Sequence, residues 1–242
     1  MKKLAIHIYQ WLIAVPIILV LTIATAVITG LGCAIGSKQW WGYYPPKVWA
    51  KCFCWLMAVR VKVEGRENID HDTSYVFVAN HQGAYDIFSI YGYLKHNFRW
   101  MMRKGLRNFP LVGQACELAG HIMVDAHNTA ALVKTMHDAE QRLQAGMSIV
   151  VFPEGRRTDD GHMAQFKSGA FKLAKEFDLP VMPISIDGSY RVLPRTTFNV
   201  TPGTITLKLH KPVTVAECGG DLHRLAQHCH DVIAQSLPEE YR

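Results

Sequence analysis

Two polar clusters follow apolar runs in this chain, and their residue types could do acid–base and anion-binding chemistry. The first is Asn80-His81-Gln82-Gly83-Ala84-Tyr85-Asp86, directly after Tyr75–Ala79. A neutral imidazole can take a proton from a hydroxyl through one ring nitrogen. A carboxylate bonded to the other nitrogen fixes the tautomer and stabilises the imidazolium that forms. His81 falls in an expected strand-to-helix turn, and Asp86 about one turn into the helix, from where it can curl back towards the ring. A substrate that brings its own hydroxyl needs no Ser or Cys nucleophile. On spacing alone, a capping Asn80 with a surface His81 and a first-turn Asp86 accounts for the same residues equally well. No third ligand accompanies the pair, so a metal site is not indicated.

The second cluster is Phe152-Pro153-Glu154-Gly155-Arg156-Arg157, directly after Ser148–Phe152. Arginine presents a planar fork that fits phosphate oxygens. Gly155 lets the backbone come close to a ligand. Glu154 could orient an arginine or bond a substrate hydroxyl. Arg103 and Lys104 follow another apolar run, and Lys167 and Lys172 flank Ser168-Gly169-Ala170. Singly, each suits a solvated surface charge. Together with Arg156 and Arg157 they could make an anion pocket.

These clusters need a scaffold, and the chain after Gly65 alternates short apolar runs with amphipathic ones. The runs Val61–Glu64, Tyr75–Ala79, Arg99–Met102, Ile122–Val124, Ser148–Phe152, Val181–Ile186 and Thr204–Leu209 predict strands. Ala84–Leu94, Ala130–Ala145, Gly169–Glu176 and Leu222–Leu237 predict helices. The alternation implies an α/β fold, a single layered sheet-and-helix domain over 61–242. In such sheets ligands gather beyond the carboxyl ends of strands, where both polar clusters fall.

Residues 1–60 read differently. From Leu4 to Ser37 there is no Lys, Arg, Asp or Glu. About 20 apolar residues can cross a hydrocarbon core. Lys2 and Lys3 precede the run; Lys38, Lys47 and Lys51 follow, with Trp40, Trp41, Tyr43, Tyr44 and Trp49 suited to the headgroup layer. Pro45 and Pro46 are expected to break the chain. Val48–Val59 is short for a span and suits an interfacial segment or the second arm of a helical hairpin. A cleaved signal peptide is the rival, with Ala24-Thr25-Ala26 as its site, but the apolar run continues to Ile35. The expectation is an N-terminal membrane-anchoring element of two helices.

With 49% apolar and 19% charged residues the composition argues against disorder. A net charge of +6 fits an anionic partner. The basic residues are scattered without a nucleic-acid-binding motif, so no nucleic-acid role is expected. The six cysteines show no CxxC pair and no zinc spacing, which predicts reduced thiols and a catalytic domain on the cytoplasmic face of the membrane.

Taken together, these segments resemble the glycerolipid acyltransferases of the PlsC family, which includes lysophosphatidate acyltransferases. The family's NHxxxxD block is matched by Asn80 to Asp86, and its FPEGxR block by Phe152 to Arg157. A block around a basic residue is similar to Arg103-Lys104-Gly105-Leu106 with Phe109-Pro110-Leu111-Val112-Gly113. A proline-centred strand is similar to Leu179 through Ile184, and Phe166 to Phe171 looks like the stretch after the FPEGxR block. The resemblance covers roughly residues 61–190 and implies roles. His81 would be the general base and Asp86 its orienting partner. Arg157, Lys104, Glu154 and Gly155 would hold the acceptor's phosphate, supported by Asn80, Arg103, Arg156 and Pro183. It implies transfer of a fatty acyl group from acyl-CoA or acyl-acyl carrier protein to the free hydroxyl of 1-acyl-glycerol-3-phosphate. Phosphatidic acid would result, with no bound cofactor or metal, at a lipid bilayer. Another lysolipid acceptor is the nearest alternative. A lipid esterase and a non-catalytic membrane-binding protein are alternatives of other classes, and no G-x-S-x-G turn supports the esterase. Four positions depart from the family pattern: Gly83 where Ser is common, Arg156 where Thr is common, Gly105 where Glu often follows the lysine, and Ala126 where Arg is frequent.

Overall fold

The computed structural model describes residues 2–124 and 147–242. The expected helix Ala130–Ala145, and Ala126, lie outside the described residues. Seven strands form one sheet: β1 (Val59–Glu64), β2 (Val76–Ala79), β3 (Phe98–Arg103), β4 (Ile122–Val124), β5 (Ser148–Val151), β6 (Val181–Asp187) and β7 (Gly203–Leu209). Their order is β1-β7-β6-β2-β5-β3-β4. Every pairing is parallel except β6 with β7. Each expected strand is present, with ends shifted by one or two residues.

The helices, in chain order, are α1 (Lys2–Tyr9), α2 (Val15–Ile35), α3 (Lys38–Trp41), α4 (Tyr44–Leu56), α5 (Tyr85–Tyr93), α6 (Val112–Leu118), α7 (Gly169–Glu176), α8 (Ser189–Val192) and α9 (Leu222–Gln235). β2 and β5 are buried along their whole length, which explains their unbroken apolar sequences. Alternate residues serve opposite faces. Phe77 and Ala79 join one core with Tyr85, Ile90 and Tyr91. Val76 and Val78 join another with Phe171, Leu173, Leu225 and Cys229.

The crossover from β2 to β3 carries α5 on the first face, where it packs on α4 and reaches β7 and β1. The crossover from β5 to β6 carries α7 back past β2 on the second. Two neighbouring strands whose connections leave in opposite directions open a crevice at their carboxyl ends. That crevice lies where both polar clusters begin.

Pro183 sits inside β6 opposite Val78. A central strand normally rejects proline because a ladder donor is lost. Here the nitrogen shares a side with that of Val181, which bonds Val213 O. Pairing with β7 starts only at Ile184, so Pro183 falls in the gap between the two pairings. Its carbonyl accepts from His210 N at 3.0 Å. Pro183 is therefore a buried residue of the sheet, level with Val78 of β2.

At the N-terminus, Leu4–Ile35 forms 32 residues of helix, long and apolar enough to cross a membrane by length and composition. A π-helical turn, Gln10–Ala14, joins α1 to α2. It coincides with the buried Gln10, whose Nε2 donates to Val200 O at 2.6 Å. Such turns re-aim side chains within a helix. Pro45 and Pro46 do not break the chain; they occupy the first turn of α4, whose N–H groups have no intrahelical acceptor anyway. α4 packs on α2 through Trp49 Nε1 to Thr22 Oγ1 at 2.9 Å, and on α5 through the Phe53–Phe88 stack. All six cysteines are free thiols.

Candidate active site

Asn80 directly follows β2 and is fully buried. Its Nδ2 donates to Ile186 O at 2.9 Å and its Oδ1 accepts from Ile186 N at 2.8 Å. The side chain thus continues the β2–β6 ladder one step beyond the backbone pairing. The alternative reading of Asn80 as a helix cap fails, because both ends of its amide are spent on β6.

His81 leaves the strand at this rim. Its Nδ1 lies 2.8 Å from Asp86 Oδ2. The carboxylate can only accept, so Nδ1 carries the hydrogen and the lone pair sits on Nε2. The imidazole stacks on Phe152 with centroids 3.9 Å apart and planes 7° apart. Phe152 in turn stacks on Trp100. The ring is therefore clamped in plane while its side chain keeps 13% exposure. Asp86 is completely buried, and Gln82 N and Gly83 N also donate to Oδ2, at 2.8 and 2.9 Å. Ser189 Oγ donates to Oδ1. Each of its two oxygens is thus satisfied by a donor from the protein, as burial requires of a polar group.

The second cluster is laced onto the first through the backbone of His81. Glu154 Oε1 accepts from His81 N at 2.6 Å and Oε2 accepts from Ala164 N at 2.9 Å. Thr158 N donates to His81 O at 3.1 Å. Both oxygens of Glu154 are thus spent on N–H groups, and a carboxylate there would repel a phosphate. Burial pushes Glu154 up to about 7, against the pull of its two backbone bonds, with the nearby Asp86 charge adding to the rise. Gly155 takes a left-handed conformation, φ +79°, and a Cβ there would meet Lys167 Nζ at 2.8 Å. Arg103 Nη2 donates to Gly155 O at 2.9 Å.

The arginines separate. Arg156 faces Asp159 at 3.4 Å, and Asp159 also takes Arg195 at 3.0 Å. Arg157 is half-buried, with no carboxylate partner among the described residues. Lys104 is exposed on the turn after Arg103. The structure therefore gathers His81, Asp86, Glu154, Gly155 and Arg103 at one rim. Arg156 is held aside by Asp159.

Ser189 escaped sequence reasoning. It lies 103 residues from Asp86, and its only signal is Gly188-Ser189 at the carboxyl end of a strand. Phe152 was visible as part of a motif but not as a platform for the imidazole. Gly83 gains a reason: a Cβ there would lie 2.6 Å from Ser189 O and 2.5 Å from Ser189 Oγ.

A family model described as Acyltransferase matches residues 60–187, which takes in both clusters. The chain belongs to this acyltransferase family. Several relatives carry the name 1-acyl-sn-glycerol-3-phosphate acyltransferase. The one from Limnanthes douglasii is 29% identical over 186 residues, 76% of this chain and 66% of the relative. That from Chlamydomonas reinhardtii is 30% identical, covering 82% of this chain and 59% of the relative. That from Salmonella typhimurium is 28% identical, covering 74% of each. The chain thus spans just under two thirds of the plant relative's length and less of the algal one. The crystal structure of the 1-acyl-sn-glycerophosphate (LPA) acyltransferase PlsC from Thermotoga maritima has a similar fold. Its TM-score is 0.79 and its identity 26%, over 97% of this chain and 94% of that one. For this acyltransferase the likeness extends beyond the sheet to the N-terminal helices.

Proposed function

We propose that this acyltransferase moves a fatty acyl group from an acyl thioester to the free hydroxyl of 1-acyl-glycerol-3-phosphate, giving phosphatidic acid. The observation that carries the proposal is the His81 Nδ1–Asp86 Oδ2 bond of 2.8 Å at the sheet rim, with the ring held flat on Phe152. Nε2 is then a base aimed by a buried carboxylate, as deprotonation of an alcohol requires.

The acceptor's phosphate rests on Arg157 and Lys104, with Arg103 bracing the Gly155 turn. His81 Nε2 takes the hydroxyl proton as the oxygen attacks the thioester carbonyl. The tetrahedral intermediate collapses, the C–S bond breaks, and the imidazolium returns its proton to the leaving thiolate. The products are an ester and a free thiol, on coenzyme A or on acyl carrier protein. Glu154 is a fastener of the His81 backbone in this scheme, not a phosphate ligand. Residues 1–60 keep the 61–242 domain at the bilayer, on the cytoplasmic face where its free thiols stay reduced.

The test is acyl transfer to lysophosphatidate with each donor type. The wild-type chain should form phosphatidic acid. His81→Ala should lose at least 10³-fold in kcat, an order set by general base catalysis, while keeping its melting temperature. Near-normal turnover in that variant would end the proposal. Preference for a lysolipid with a larger headgroup would keep the chemistry and replace the acceptor.

A further inference from the structure

We infer that Ser189 is a positioning residue for the His81–Asp86 pair, delivered from the far side of the crevice. The inference rests on the proposed role of His81 as base.

The carboxylate of Asp86 receives its bonds unevenly. Oδ2 accepts from His81 Nδ1, Gln82 N and Gly83 N, all from one loop. Oδ1 is served by Ser189 Oγ, from the first residue of α8. Three donors converging on one oxygen locate that oxygen but leave the carboxylate free to swing about it. A donor on the second oxygen sets the plane, and the plane decides how the imidazole is aimed. Asp86 and Ser189 are both wholly buried, so no solvent substitutes for a lost bond.

The surroundings are shaped for this contact. Gly188, at φ +93°, turns the chain off β6, and a Cβ there would meet Thr204 O at 2.3 Å. The turn then passes so close over Gly83 that no side chain fits between them. Gly83 also pairs with Pro194 in an isolated bridge, which holds the α8 segment against the His81 loop. The missing side chain at position 83 and the hydroxyl at 189 are two halves of one contact. It ties the loop after β2 to the turn after β6.

Ser189→Ala tests the idea, with Ser189→Thr and Ser189→Val as a matched pair that keeps or lacks the hydroxyl at one shape. Steady-state kinetics and thermal unfolding would be recorded for each, beside His81→Ala. Ser189→Ala should lose roughly 10–100-fold in kcat, the worth of one charge-assisted hydrogen bond, with KM for both substrates unchanged. Ser189→Thr should recover most of that loss and Ser189→Val none. Wild-type kcat in folded Ser189→Ala would overturn the inference. So would equal activity in the Thr and Val variants, since packing alone would then explain the site. If His81→Ala is inert while Ser189→Ala is normal, the positioning role fails and the base survives. If His81→Ala is active, the reading beneath it fails.

Discussion

Glu154 is the side chain whose chemistry most depends on where the fold puts it. Its carboxyl is raised from an ordinary value of 4.5 to about 7 because burial penalises the charge. A group with a raised folded pKa contributes stability that is full below its unfolded value and is lost as pH climbs through the folded one. Ionising Glu154 between about pH 4.5 and 7 therefore costs the native state on the order of 3 kcal/mol. Glu154→Gln removes that titration. Its stability relative to wild type should improve from about pH 4.5 to 7 and level off above, as read by chemical unfolding at each pH. A difference independent of pH would contradict the raised value. Activity should still fall in this variant, because an amide cannot accept from both His81 N and Ala164 N. The sequence marked Glu154 as functional from its motif, yet the partners it binds are backbone groups that no pattern announces. The same holds for Asp86, legible as an orienting carboxylate, while its bond from Ser189 depends on a crossover that brings the end of β6 beside the end of β2.

At the level of elements, β2, β5 and β6 were legible because strands covered on both faces must be apolar throughout. Gly169–Glu176 was legible by its periodicity. α6 was not: Val112–Leu118 is seven residues and lies in a stretch that reads as a glycine-and-proline turn. The prolines of α4 misled in the same way, since a residue that ends helices also begins them. Sheet order was beyond the sequence, and with it the splice made by Asn80. That splice carries a prediction. Asn80→Ala strips partners from both the N–H and the carbonyl of Ile186 in a buried strand. Two unsatisfied backbone groups should cost about 2–4 kcal/mol in urea unfolding. A loss below about 0.5 kcal/mol would show that β6 holds its register without the amide.

For the whole molecule, apolar surface extends past the N-terminal helices onto the domain that holds the crevice. Leu106, Phe109, Leu111 and Leu118 are all exposed, Phe109 to 64%. They lie on the turn after β3 and on α6, beside Arg103 and Lys104. Leu118 Cδ1 lies 3.7 Å from where a Cβ on Gly30 would be, so α6 packs against α2 at this point. An exposed apolar turn flanked by cations suits the boundary of an anionic bilayer. It would set the turn after β3 at headgroup depth, where an amphiphilic acceptor already lies. Burying one Phe or Leu is worth about 1.5–3 kcal/mol, so removing two should be measurable even with the helices intact. Phe109→Asp combined with Leu111→Asp should weaken partitioning onto anionic vesicles by about tenfold or more. Turnover of vesicle-embedded acceptor should fall in step, while turnover of a short-chain, water-soluble acceptor should stay near wild type because the His81–Asp86 pair is untouched. Equal loss on both acceptors would place the damage in the crevice itself and sink the membrane role of this turn.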